Sequence, residues 1–205
     1  MSDRFRVHPT HPQARLISRA AEAIAAGQLG LLPTDAGYAL VWGMEARDAE
    51  ERVLRLRRLD SKHLFTLLCA SISQAGALAR IDDRAFRFLR SRTPGPCTVI
   101  LPAAAALPRR LKQAKRRAVG VRLPDHPVAQ ALIAEVREPL LSTTLALPGD
   151  DDLSNHEADE VAERMMRHVG FMLDAGDTEP GPTSVIDLTD DEPQLVRQGY
   201  RPVEL

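Results

Sequence analysis

Short apolar runs alternate with segments of helical periodicity along most of this chain, and that alternation narrows the fold more than any other feature. The runs "LGLL" (29–32), "YALVW" (38–42), "LFTLLC" (64–69), "CTVIL" (97–101), "VGVRLP" (119–124) and "PLLSTTLAL" (139–147) have the length of buried strands. Between and around them, residues 12–26 place Leu16, Ala20, Ala23 and Ile24 on one helical face, and Gly27 stops the pattern. "DAEERVLRLRRL" (48–59) puts acids in its first turn and arginines in its last, as the helix dipole favours. "DDRAFRFLRS" (82–91) and "DHPVAQALIAEV" (125–136) are further helices, the second with Asp125 as expected cap and Pro127 in its first turn. "SNHE" (154–157) reads as a capping box opening the helix "ADEVAERMMRHV". The last apolar runs, "FMLDAG" (171–176), "TSVIDL" (183–188) and "QLVRQ" (194–198), have no helices between them. The expectation is one α/β domain over residues 1–205, with a mixed sheet flanked by helices.

The 205 residues are 44% hydrophobic but only 4% aromatic, so the core must be built from Leu, Val, Ile and Ala. A net charge of −1 does not mark the whole chain as a nucleic-acid binder. The charge is nevertheless clustered: "PRRLKQAKRR" (108–117) has six cations and no acid, and "RVLRLRRLDSK" (52–62) has five against one. Cys69 and Cys97 sit in apolar runs without metal-ligand spacing and read as inert buried thiols. There is no apolar leader at the N-terminus and no run near the roughly 18 apolar residues of a membrane span. A cytoplasmic protein without a membrane partner is the expectation.

Ligands of open α/β sheets bind at the carboxyl ends of strands. Polar residues stand at several such ends: Thr34 and Asp35 after "LGLL", Arg122 in "VGVRLP", Ser142, Thr143 and Thr144 in "LLSTTLAL", and Arg197 in "QLVRQ". Thr98 begins a strand after "TPGP". Any one of them has an ordinary structural explanation, as a turn or a strand-lining hydroxyl. Together they propose a polar cleft of hydroxyls and guanidiniums suited to an anion. Phosphate loops of the GxxxxGK[ST] and GxGxxG types, HExxH, CxxC and GxSxG are all absent, and no protein-bound metal is expected.

The ordered set "LLPTDAGYAL", "LRRLDSKHLFTLL", "TPGPCTVIL", "VGVRLPDHP", "LLSTTLALPG", "GPTSVIDL" and "LVRQG" resembles the YrdC-like domain of the threonylcarbamoyl-AMP synthase family, over about residues 12–200. The "HPTHPQ" start, the "TLL" strand and "STTLALPGD" are most similar to the YciO branch. The resemblance implies a twisted α/β domain with a concave basic cleft. It implies L-threonine, bicarbonate and ATP as substrates, threonylcarbamoyl-AMP and pyrophosphate as products, and magnesium accompanying ATP. It also implies links to tRNA threonylcarbamoyladenosine modification and to double-stranded RNA. On the matching motifs, Thr34, Asp35 and Tyr38 would shape the threonine end, Arg122 would meet its carboxylate, and Thr98, Ser142, Thr143, Ser184 and Arg197 would serve substrate or nucleotide.

The family's K-x-R and S-x-N tetrad is altered here. Arg57 stands at the lysine, Leu59 at the arginine, Thr144 at the serine and Ala146 at the asparagine, while the family's histidine in PL-x-x-H falls on Leu68. Arg57 and Thr144 retain a charge and a hydroxyl. Leu59 and Ala146 retain neither guanidinium nor amide, and Arg58 and Lys62 stand near enough in sequence to substitute. Two readings follow. One is a binding module for ATP or AMP and for double-stranded RNA or tRNA with a degenerate tetrad; the other is an active synthase.

Overall fold

The computed structural model describes residues 2–60, 63–112, 117–149, 153, 156–179 and 181–204. Its strands are β1 (Asp3–Arg6), β2 (Gly30–Thr34), β3 (Gly37–Gly43), β4 (Thr66–Leu68), β5 (Cys97–Pro102), β6 (Ala118–Arg122), β7 (Leu140–Thr144), β8 (Phe171–Asp174), β9 (Ser184–Asp187) and β10 (Gln194–Arg197). The helices are α1 (Ala14–Ala25), α2 (Arg47–Arg57), α3 (Ile72–Gly76), α4 (Asp83–Arg92), α5 (Pro127–Val136) and α6 (Ala158–Met165), with a 3₁₀ turn at Arg109–Leu111. All ten strands join one mixed sheet in the order β1-β8-β2-β3-β7-β4-β6-β5-β9-β10.

Strand alternation divides the apolar residues between the two faces of this sheet. Leu31, Tyr38, Leu40, Trp42, Leu67, Val99, Val121 and Leu141 pack on one side, with Val53 of α2, Ala75 of α3, Leu89 of α4 and Val161 of α6. Leu32, Ala39, Val41, Leu68, Leu140 and Leu173 pack on the other, with Ile17 and Ile24 of α1 and Val128 and Leu132 of α5. Cys69 and Cys97 are both in the first core, and burial pushes their thiols up to about 12 and about 11.

Several local expectations are corrected. β2 does not end before Pro33 but runs through it to Thr34. The proline is tolerated because β8 pairs only with Gly30 and Leu31, leaving no ladder partner for a missing N–H beyond them. The cap of α5 is His126, whose Nδ1 accepts from the Val128 amide, and not Asp125. Ser154 and Asn155 of the expected capping box lie outside the described residues. Glu157 occupies the cap position of α6 without a side-chain cap bond, and the Ala158 amide is met by Asp177 Oδ1 at 2.9 Å. β1 has no counterpart among the expected strands.

Candidate functional site

One face of the sheet is covered only in part. Over β8, β2, β3 and β7 it lies beneath α1 and α5. On the neighbouring strands the same face carries small and polar residues, and there the surface opens into a cleft of about 330 Å³. The register explains its floor. Ile100, Gly120, Thr66 and Ser142 stand side by side across β5, β6, β4 and β7, and Thr98 lies beside Arg122 one row along. Gly120 keeps the floor low: a Cβ there would touch Thr66 Oγ1 and Thr98 Cγ2 only at 3.5 Å and would project into the opening.

Among the described residues three arginines line the cleft, Arg57, Arg122 and Arg197, and a threonine holds each one. Arg122 Nη2 donates to Asp35 Oδ1 at 2.5 Å and to Thr34 Oγ1 at 3.1 Å. Thr34 in turn donates to the Gly37 carbonyl at 2.7 Å and accepts from the Ala36 amide, which folds the β2–β3 turn back on itself. Gly37 sits at φ 81°, where a side chain would be strained. Arg122 and Asp35 are both buried, and among the described residues Arg122 Nε and Asp35 Oδ2 have no hydrogen-bond partner.

Arg197 clasps the Thr183 carbonyl through Nε and Nη2 at 3.1 and 2.9 Å, and Nη2 also reaches Thr183 Oγ1. Thr183 Oγ1 is 3.1 Å from Thr98 Oγ1, so hydroxyls and guanidinium from β5, β10 and the loop before β9 form one group. Arg57, at the end of α2, donates through Nε to the Ala146 carbonyl at 3.0 Å and through Nη1 to Thr143 Oγ1. The position expected to lack an amide therefore still serves the arginine through its backbone. Near it, His63 packs edge-on against Phe65, which packs edge-on against Trp42, tying the cleft rim to the core. Burial, with the Arg57 charge next, holds the His63 imidazole below its usual range, so it is neutral at pH 7.

Among the expected site residues, Tyr38, Arg57, Thr98, Arg122, Ser142, Thr143, Thr144 and Arg197 line the cleft together. Thr34 and Asp35 reach it through Arg122. Tyr38 donates to the Gly176 carbonyl at 2.7 Å, and burial foremost, then the Asp174 charge, raises its phenol well above the usual value. Ser184 stands apart: its hydroxyl donates to the Arg201 carbonyl and accepts from the Gly199 amide. Arg58 is exposed in a left-handed helix cap and does not line the cleft. Lys62 lies outside the described residues. Leu59 packs against the core, and Leu68, where the histidine was expected, is fully buried. Thr66, Gly120, Thr183 and His63 were not anticipated. A glycine inside the strand "VGVRL" was the one available signal, since such glycines mark close approach.

The family model Sua5_yciO_yrdC, described as "Telomere recombination", matches residues 22–199. The chain belongs to the Sua5/YciO/YrdC family. It is 42% identical to YciO of Escherichia coli K12 over 204 residues, covering 100% of this chain and 98% of YciO. The crystal structure of E. coli YciO superposes with a TM-score of 0.91, over 98% of this chain and 97% of that one. More distant is the threonylcarbamoyl-AMP synthase of Pyrococcus abyssi, 30% identical over 187 residues, 90% of this chain and 54% of the enzyme. The crystal structure of P. abyssi Sua5 complexed with L-threonine superposes with a TM-score of 0.87 at 28% identity, covering 97% of this chain and 58% of that one. Within this family the chain is thus YciO-like and related to threonylcarbamoyl-AMP synthase. Among the described residues, no helix is long and apolar enough to cross a membrane.

Proposed function

We propose that the cleft binds L-threonine beside an adenine nucleotide, and that synthase turnover is slow. The observation that carries this reading is the Arg122 guanidinium in the cleft wall, preorganised by Asp35 and Thr34. An α-amino acid presents a carboxylate, the planar partner of a guanidinium, and Asp35 and Thr34 fix that of Arg122 from behind. The L-threonine bound in P. abyssi Sua5 supports the choice of amino acid. Arg197 and Arg57, with the hydroxyls of Thr98, Thr143 and Thr144, suit nucleotide phosphates. Among the described residues no group of three His, Cys, Asp or Glu side chains could hold a metal, so magnesium would be carried by the phosphates of ATP. Slow turnover follows from Leu59 and Ala146, since each lost preorganised contact costs about 3 kcal/mol of transition-state stabilisation.

The test is calorimetric titration with L-threonine and with ATP, alongside pyrophosphate release with and without L-threonine and bicarbonate. Binding of both, with slow release that requires all three substrates, is expected. Binding of neither would overturn the reading. Fast dependent release would overturn the slow-turnover half and leave Arg57 covering for the missing groups.

A second reading, RNA binding, draws on exposed cations at Arg52, Arg55, Arg58, Arg109 and Arg117. Arg110 does not join them, because Glu50 holds it at 2.7 Å and it donates to the Met44 carbonyl. Phosphate-driven binding would weaken steeply with salt; affinity for a duplex RNA that ignores ionic strength would dismiss this reading.

A further inference from the structure

The chain has only two tyrosines, and each donates to a backbone carbonyl far off in sequence, Tyr38 to Gly176 and Tyr200 to Asp35. Tyr200 lies beyond β10, yet its Oη donates to the Asp35 carbonyl at 2.5 Å, across 165 positions of sequence. The segment carrying it is pinned along its length. The Gly199 amide donates to Ser184 Oγ at 2.9 Å, the Tyr200 amide to the Pro182 carbonyl at 3.0 Å, and Ser184 Oγ to the Arg201 carbonyl at 3.0 Å. Two glycines permit this contact. A Cβ on Gly199 would lie 2.3 Å from the Ser184 nitrogen, and one on Gly181, at φ 127°, would lie 2.5 Å from Tyr200 Cβ.

The phenol has one proton and two acceptors nearby, the Asp35 carbonyl and Glu179 Oε2 at 3.0 Å. Arg201 Nη2 reaches the same Glu179 oxygen at 2.6 Å. At 2.5 against 3.0 Å, the Asp35 carbonyl is the nearer acceptor for the phenolic proton. The turn so held is also bonded locally, from Thr34 to Gly37 and Ala36, and across the sheet by Arg122, which donates to Thr34 and to the Asp35 carboxylate.

We propose that Tyr200 is a positioning residue for the amino-acid end of the cleft: its hydroxyl fixes the Asp35 turn against Arg122, so the C-terminal segment completes a site begun at β2. This inference rests on the amino-acid reading of the cleft given above. A purely structural strap would weaken every ligand alike. A positioning role at Asp35 affects the amino acid and spares a nucleotide held by Arg197 and Arg57.

The experiment uses the full chain and Tyr200→Phe, which keeps the ring against Gly181. L-threonine and ATP are titrated separately, and hydrogen exchange is followed at the Ala36 amide. The expected result is an L-threonine affinity lower by about tenfold, the loss of one hydrogen bond, with ATP affinity within about twofold of wild type. Exchange at Ala36 should accelerate. Unchanged L-threonine affinity, or equal losses for both ligands, would overturn the proposal. If the wild-type chain fails to bind L-threonine, the amino-acid reading falls instead, and the Ala36 amide then decides the positioning of the turn: unaltered exchange in Tyr200→Phe would overturn that too.

Discussion

Asp35 and Arg122 meet with side chains 7% and 9% exposed, so removing either leaves a buried charge without its partner. Asp35→Ala is expected to lower unfolding free energy by about 3 kcal/mol in urea, and adding Arg122→Met should recover part of that loss. If the double variant is less stable than Asp35→Ala alone, the pair is not the origin of the cost. Gly120 gives the opposite case. Gly120→Ala should raise the cleft floor and weaken ligand binding while changing stability by no more than about 0.5 kcal/mol, because a Cβ there meets its neighbours at an ordinary contact distance of 3.5 Å. Calorimetry and urea unfolding of the one variant check both halves. Much of the site was legible at this scale where chemistry and strand ends coincide: Thr34, Asp35, Arg122, Ser142 and Arg197 follow or end apolar runs. Thr66, Gly120 and Thr183 were not, since their place in the cleft depends on which strand lies beside which. That register is set by pairings such as Thr66 with Ser142, 76 positions apart.

Helix α5 shows what an end residue decides. His126 accepts from the Val128 amide, which requires an unprotonated Nδ1, and burial lowers its pKa below the usual 6.5 against the opposing charges of Asp35 and Asp125. The unfolded chain therefore takes up the proton first as the solution is acidified. Stability is full above about pH 6.5 and falls as pH drops toward the depressed folded value. His126→Ala should cost about 1 kcal/mol at pH 8 through the lost cap. His126→Asn should keep the cap and flatten the decline in urea midpoint between about pH 7.5 and 5.5. An undiminished pH slope in His126→Asn would assign the titration to His63 or His168, whose pKa values are also lowered by burial. Element reading succeeded where apolar periodicity was strong, as in α1, α4 and β5. It missed β1 because "DRFR" buries only Phe5 and gains its partner, β8, from the far end of the chain. Asp125 was preferred as a cap on residue type, while the local path of the chain gave the position to His126.

At the scale of the whole molecule, one sheet of ten strands carries two cores, and the single tryptophan, Trp42, is fully buried in one of them. Trp42 fluorescence and far-ultraviolet circular dichroism should therefore follow one coincident urea transition. An earlier loss of helix signal would mean that α1 and α5 detach as a separate unit. The arrangement also divides labour between the faces. The face under α2, α3, α4 and α6 holds the larger packed core, and the open half of the other face holds the cleft. Thr66, Thr98, Ser142 and Thr144 of the open half take no part in that core's packing. The fold thereby behaves as a chassis with an interchangeable working surface. With a TM-score of 0.87 at 28% identity to P. abyssi Sua5, the chassis is kept while most of its side chains differ.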